Sequence, residues 1–179
     1  MVAYDKAGEG GATRLWWLLR HFGHDSVAVL NGGLRAWTEA GGELRSGAEE
    51  TASGDFAARE REGDTVGLGH VREGASRLLD AREPERFRGE TEVMDPVAGH
   101  IPGARNVPSQ DLAPGGRFPD RDRLRERLGE EPFVAYCGSG ITATTLLLAA
   151  EVAGVEGRLY PGSWSEWSRR ELPVATGDD

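Results

Sequence analysis

The chain has 179 residues, a net charge of −9, 38% hydrophobic and 28% charged residues, which suits a soluble domain with its own core and excludes wholesale disorder. No basic patch with interleaved aromatics occurs, so no nucleic-acid partner is expected. The single cysteine has no internal disulfide partner, which points to a reducing, cytoplasmic setting. Met1–Asp5 lacks a signal pattern, and the apolar run 141–155 is short and broken by Glu151 and Gly154, so no membrane partner is expected.

In chain order, Val2–Tyr4 reads as a strand that ends at Asp5. A Gly-rich turn follows, then a helical run whose Trp16 and Trp17 are assigned to helix packing. Val27–Leu30 is β-prone and leads through Gly32-Gly33 into an aromatic-bearing helix with Trp37. Residues 41–64 are rich in Glu, Gly, Ser, Ala and Arg, show little periodicity and read as a linker. Arg77–Ala81 reads as a buried strand, Glu83–Arg88 as a short helical turn, Gly99–Ala104 as a turn and Arg105–Pro108 as a short strand. Asp122–Leu128 is an amphipathic helix with Leu124 and Leu128 four residues apart. Phe133–Tyr136 is a strand that leads into Cys137, a glycine-rich turn and a helical pattern from Ile141 to Val152. Gly157–Tyr160 and a short helix with Trp164 and Trp167 close the pattern.

The chain repeats itself. Val2-Ala3-Tyr4-Asp5 matches Val134-Ala135-Tyr136-Cys137, and Trp37 falls in register with Trp167. Strands alternating with helices imply an α/β domain with a mainly parallel sheet. The second copy, 66–179, carries a long lead-in that the first copy lacks. Residues 1–42 therefore read as the C-terminal half of a related unit, with 43–65 as linker. So short a fragment must dock on the second unit, dimerise or pair with a missing segment.

Cys137 is the outstanding chemical feature. A thiol between a strand end and a helix start sits among backbone N–H groups and the positive end of a helix dipole, which favours a thiolate nucleophile. Gly138 and Gly140 permit a tight loop with converging donors, and Ser139 and Thr142 add hydroxyls that serve either as donors or as helix caps. Arg82, Arg86 and Arg88 follow the strand that ends at Asp80, and strand ends in a parallel sheet share the ligand-binding rim. A nearby arginine there would hold an anionic substrate. The histidines are weak signals, with His100 assigned a structural role in its Gly-His-Ile-Pro-Gly turn. No spacing suggests zinc or a nucleotide cofactor. Phosphatase-type chemistry would place an Arg six residues after the Cys, where this chain has Ala143.

These residues resemble the tandem-domain rhodanese-type sulfurtransferases. The matching pieces are Leu79-Asp80-Ala81-Arg82, Arg86-Phe87-Arg88-Gly89, Gly99–Ala104, Cys137–Ala143 and Pro161–Trp167, with Arg14–Trp17 and Asn31–Trp37 in the first copy. The resemblance implies a five-stranded parallel sheet flanked by helices, complete in the C-terminal domain and preceded by half of a second, non-catalytic copy. It makes Cys137 the catalytic persulfide carrier and Gly138, Ser139, Gly140, Ile141 and Thr142 its cradle. Arg86 becomes the substrate-binding arginine, and Asp80, Arg82 and Asp5 supporting residues. The implied reaction moves sulfane sulfur from thiosulfate or 3-mercaptopyruvate to cyanide or a thiol, with no metal or organic cofactor. The neutral Gly138-Ser139 pair resembles the mercaptopyruvate type, but a second substrate arginine is absent from Glu90–Asp95, and the donor stays open. The alternative is a truncated, weakly active or inactive fragment that acts as a binding module or needs a partner chain, with a homodimer or a missing N-terminal segment as its completion.

Overall fold

Each short apolar run forms a parallel strand. The computed structural model describes every residue except Glu49, Thr51, Ala75 and Asp179. A two-stranded sheet pairs β1 (Val2–Ala3) with β2 (Ala28–Val29). A four-stranded sheet runs in the order β4 (Arg105–Asn106), β3 (Leu78–Asp80), β5 (Phe133–Tyr136), β6 (Gly157–Leu159), with every pair parallel. The expected fifth strand is a single bridge: Thr65 pairs with Leu159, while Val66 N–H donates to Leu159 O at 2.8 Å and Leu159 N–H to Asp64 O at 2.9 Å.

β5 is buried along its whole length, which explains its unbroken apolar sequence. Alternation along the strand sends Phe133, Ala135 and Cys137 into one core with Trp16, Trp17 and Leu146. Val134 and Tyr136 face a second core with Phe87, Trp164 and Trp167. The central helix α7 (Ala143–Ala153) is buried on nearly all sides, between β5 and β6, α1 (Gly11–His21) and α6 (Arg121–Leu128). That accounts for its almost entirely apolar sequence. Asp120 caps α6 by accepting the Arg123 N–H.

The internal repeat is repeated in hydrogen bonds. Leu30 N–H donates to Ala3 O at 2.9 Å, as Tyr160 N–H donates to Ala135 O at 2.9 Å. Leu34 N–H donates to Asp5 O, as Trp164 N–H donates to Cys137 O, both at 2.9 Å. The Trp37 indole donates to Glu43 O and the Trp167 indole to Pro173 O, each six residues on. The equivalent helices α1 and α7 meet at equivalent threonines, with Thr13 Oγ1 and Thr145 Oγ1 3.1 Å apart. α2 (Gly33–Glu39) and α8 (Ser163–Trp167) are likewise counterparts.

The described residues of 43–63 form no helix or strand and are all exposed. This stretch returns beside the end of α1, where Arg59 N–H donates to Phe22 O and Arg61 N–H to His21 O. The His21 ring then meets the Asp64 carboxylate at 2.9 Å. Three short elements lie outside the sequence reading: α3 (Leu68–Arg72), α5 (Ser109–Leu112) and a 3-10 turn at Pro114–Gly116. Each is too brief to show a helical period, and packing rather than propensity holds it. The expected helical turn near Arg86 is α4 (Pro84–Phe87). Among the described residues, no helix is long and apolar enough to cross a membrane.

Because Trp16 and Trp17 share a core with α7, the chain is expected to unfold in urea as one transition. Trp17→Ala should lower its unfolding free energy by about 3–5 kcal/mol. A separate early transition for residues 1–40, seen by hydrogen exchange, would contradict the shared core.

Candidate functional site

The site is built where β5 ends. Tyr136 is the last strand residue, and the chain turns through Cys137 to reach α7. Two backbone bonds from the start of α8 pin this turn: Trp164 N–H to Cys137 O and Ser165 N–H to Gly138 O, both 2.9 Å. Ser163, fully buried and at φ 53°, adds a third tie. Its hydroxyl accepts the Cys137 N–H at 3.2 Å and donates to Tyr160 O at 2.9 Å. Gly140 adopts φ +77°, and a Cβ there would lie 2.8 Å from Pro161 O. Only glycine meets both demands. The result is that Gly140 N–H points at Cys137 Sγ, 3.2 Å away.

Cys137 is 2% exposed and lies in a cavity of about 220 Å³. Gly138, Ser139, Ile141 and Thr142 from the loop contribute to its wall, with Arg82 from just after β3 and Arg86 from α4. Gly140 acts through its N–H rather than as wall. Thr142 holds the position before α7 but makes no side-chain cap. A larger cleft, about 870 Å³, opens beside β4 near Arg105 and Arg127, but it holds no nucleophile. The small cavity is the chemically equipped one.

Asp80 is fully buried behind the cavity and not part of its wall. Its carboxylate accepts the Arg82 Nη2 at 2.6 Å and Nε at 3.1 Å. Burial disfavours the charged guanidinium, but the hydrogen bonds and charge of Asp80 outweigh this and raise Arg82 above its ordinary value. Arg82 is thereby fixed beneath the Trp164 ring, 4.9 Å from its centre, and donates to Gly99 O at 2.8 Å. His100, stacked on Phe87 at 3.7 Å with its Nδ1 2.8 Å from Phe87 O, is buried in the fold behind this site.

Asp5 does not reach the Cys137 cavity. It closes its own loop by accepting Gly8 N–H at 2.7 Å and Ala12 N–H at 3.2 Å. This corrects the picture of Asp5 as a site partner: it is the counterpart of Cys137, spent on its own turn. The first unit instead sends Arg14, whose Nη1 donates to Gly140 O at 3.3 Å. Burial lowers the Arg14 guanidinium from its ordinary value, and the nearby Cys137 sulfur, as thiolate, acts in the opposite direction.

The segment after α4 supplies groups that the sequence alone did not single out. Glu92, with a side chain 4% exposed, accepts Arg86 Nη2 at 2.7 and 3.0 Å and Nε at 3.3 Å. Its Oε1 also accepts the backbone N–H groups of Val93, Met94 and Asp95 at 3.0–3.2 Å. Burial opposes its ionisation, but these N–H groups and Arg86 prevail and hold the carboxyl below its usual range. Asp95, 1% exposed, lies 3.7 Å from Arg86, accepts Ser165 Oγ at 3.0 Å and pairs with Arg169 at 2.9 Å. Among the described residues, no group of three His, Cys, Asp or Glu is placed to hold a metal ion.

Comparison with known proteins follows the same pattern. The family model described as rhodanese-like domain matches residues 1–40 and 68–170. A putative thiosulfate sulfurtransferase, SseB, of Mycobacterium tuberculosis is 41% identical over 190 residues, which are 99% of this chain and 67% of that protein. A probable 3-mercaptopyruvate sulfurtransferase of Pseudomonas aeruginosa is 42% identical over 193 residues, covering 99% of this chain and 68% of its own length. The crystal structure of SseA from Escherichia coli superposes with a TM-score of 0.79 at 36% identity, covering 92% of this chain and 66% of that one. The chain thus spans about two thirds of the length of these relatives.

Two outcomes are expected of the site. Gly140→Ala should cost about 1–3 kcal/mol of stability in urea unfolding, through the forced φ and the Pro161 contact. The stability that Glu92 confers should be present above the usual glutamate range, near pH ~4.3, and vanish as the pH falls through its lowered native value. Comparing the parent with Glu92→Gln should therefore give a stability gap at pH 7 that closes in acid. A gap that widens in acid would reverse the assigned sign.

Proposed function

The chain belongs to the rhodanese-like domain family of sulfurtransferases, and we propose that its Cys137 carries sulfane sulfur from thiosulfate or 3-mercaptopyruvate to cyanide or a thiol. The observation that carries this reading is the Gly140 N–H on Cys137 Sγ, in a cavity with Arg82 and Arg86.

The thiolate of Cys137 attacks the outer sulfur of the donor, forming an S–S bond. With thiosulfate the old S–S bond breaks and sulfite leaves with its electron pair. With 3-mercaptopyruvate the C–S bond breaks and pyruvate forms once its carbanion takes a proton. The Cys137 persulfide is then an anion, favoured by loop N–H groups that need no reorganisation. Gly140 N–H is the donor already aimed at the sulfur. The acceptor attacks the outer sulfur, the persulfide S–S bond breaks, and its electron pair returns to Cys137 as thiolate. Arg86 attracts the anionic end of the donor, and Arg82 is a fixed positive wall held by Asp80.

Residues 1–42 are proposed as the C-terminal half of a non-catalytic rhodanese-like domain, 43–65 as linker and 66–179 as the catalytic unit. The paired hydrogen bonds of the two copies support this division. Among the described residues β1 pairs with β2 alone, and Val2 and Tyr4 are each 59% exposed. That supports a further segment or a second copy of the chain against β1. The single cysteine supports a reducing, cytoplasmic setting.

Incubation with either donor should add about 32 Da, one sulfur atom, to the parent chain and nothing to Cys137→Ser. Intact-mass measurement decides this, and absence of the gain with both donors overturns the reading. Arg86→Ala should raise the donor KM about tenfold or more, with a smaller change in kcat.

A further inference from the structure

The two arginines of the cavity wall are each paired with a buried carboxylate, while Arg14 approaches the loop from outside that wall. Arg82 is neutralised by Asp80, and Arg86 by Glu92, with Asp95 adding a further buried carboxylate 3.7 Å from Arg86. The loop Gly138–Thr142 contributes no charged side chain. Glu92 is held firmly. Three consecutive backbone N–H groups close on its Oε1, and Arg82 Nη1 lies 3.5 Å from its Oε2. The segment thereby turns its carboxylates inward and its apolar side chains outward, with Val93 88% and Met94 74% exposed. Met94 and Asp95 both reach the cavity wall beside Cys137. An anion that approaches Arg86 must therefore compete with a buried carboxylate already in two-point contact with that guanidinium.

Resting on the sulfurtransferase reading above, we infer that Glu92 and Asp95 set the charge of the donor: by neutralising Arg86 they make the cavity select a sulfur donor with at most one negative charge over a dianion. Two charges brought into a cavity of about 220 Å³ lose far more hydration than one. A dianion recovers that loss only from uncompensated cations, and the cavity arginines are both compensated. A singly charged thiol acid such as 3-mercaptopyruvate, or an uncharged alkyl trisulfide, makes a smaller demand. Glu92 is a positioning residue in this scheme, because it acts on the donor through Arg86.

The test compares kcat/KM for thiosulfate and for 3-mercaptopyruvate, with cyanide as acceptor, in the parent, Glu92→Gln and Asp95→Asn. Freeing Arg86 should raise the thiosulfate-to-mercaptopyruvate ratio about tenfold, the change that about 1.4 kcal/mol makes. The gain should appear in the thiosulfate KM and shrink as salt is added, which a merely structural role would not produce. A second arm measures thiosulfate binding by calorimetry in Cys137→Ser, with and without Glu92→Gln, and needs no turnover. Binding should tighten by the same factor. A parent that takes sulfur from neither donor overturns the sulfurtransferase reading, while the binding arm still decides the role of Glu92. An unchanged ratio, or unchanged binding, in variants that melt cooperatively overturns the inference. If Glu92→Gln fails to fold, Asp95→Asn, which leaves the Glu92 turn intact, must shift the ratio in the same direction or the inference falls.

Discussion

Two backbone hydrogen bonds govern the site: Trp164 N–H to Cys137 O and Ser165 N–H to Gly138 O. They tie the first turn of α8 to the turn after β5, so the loop cannot relax into a wider path. The position of Gly140 relative to the sulfur follows from that constraint. With the carbonyls of Cys137 and Gly138 held by α8, the Gly140 N–H falls on the sulfur. Ser163 sustains the clamp from below in a left-handed conformation that few side chains accept. Its hydroxyl, bonded on both sides, offsets that strain. At the matching place in the first unit stands Gly33, also at positive φ, where a Cβ would lie 2.6 Å from Asp5 O. The same clamp thus exists twice, once with a cysteine and once with an aspartate.

The second organising contact is the meeting of α1 with α7. Equivalent helices of the two copies cross at Thr13 and Thr145, where a polar contact between buried hydroxyls needs close backbone approach. That approach brings Gly10 to Thr142 and Arg14 to Gly140 O. The first unit accordingly touches the Cys137 loop from behind, through Arg14 of α1 and Gly10 just before it, while Asp5 itself is bonded within its own turn. The unit without the cysteine still shapes the loop that carries it.

Charge in the site is arranged for position rather than for net stability. The Asp80–Arg82 pair is almost completely buried, and such pairs gain little over an apolar replacement because both ions lose their hydration. What the pair provides is a guanidinium in one fixed place, stacked on Trp164. Arg86 is less deeply buried, with a side chain 17% exposed, and its partner Glu92 is held by the backbone around it. One arginine is therefore part of the frame and the other is open to the cavity.

Much of this was legible in the sequence because it depends on local pattern. Short β-prone apolar runs and helical apolar spacing located the main strands and helices, and the match of residues 2–5 to 134–137 revealed the repeat. The strand–Cys–Gly–x–Gly–helix order was enough to single out Cys137, since backbone geometry after a strand aims the N–H groups of a tight turn at one point. Place after a strand end marked Arg82, Arg86 and Arg88 together, and only the family resemblance distinguished Arg86 among them. Glu92, Asp95, Arg14 and Ser163 were not singled out, because their roles come from partners distant in sequence or from a loop with no periodicity. Asp5 was misjudged as a site partner for a related reason: register gives equivalence, not proximity. The sequence by itself determined the main elements, the internal repeat and the loop that carries the single cysteine, because those are set by interactions between near neighbours. Only the tertiary structure decided which charges face the thiol and which are already neutralised, because that depends on how separate segments are brought together across a low-dielectric interior.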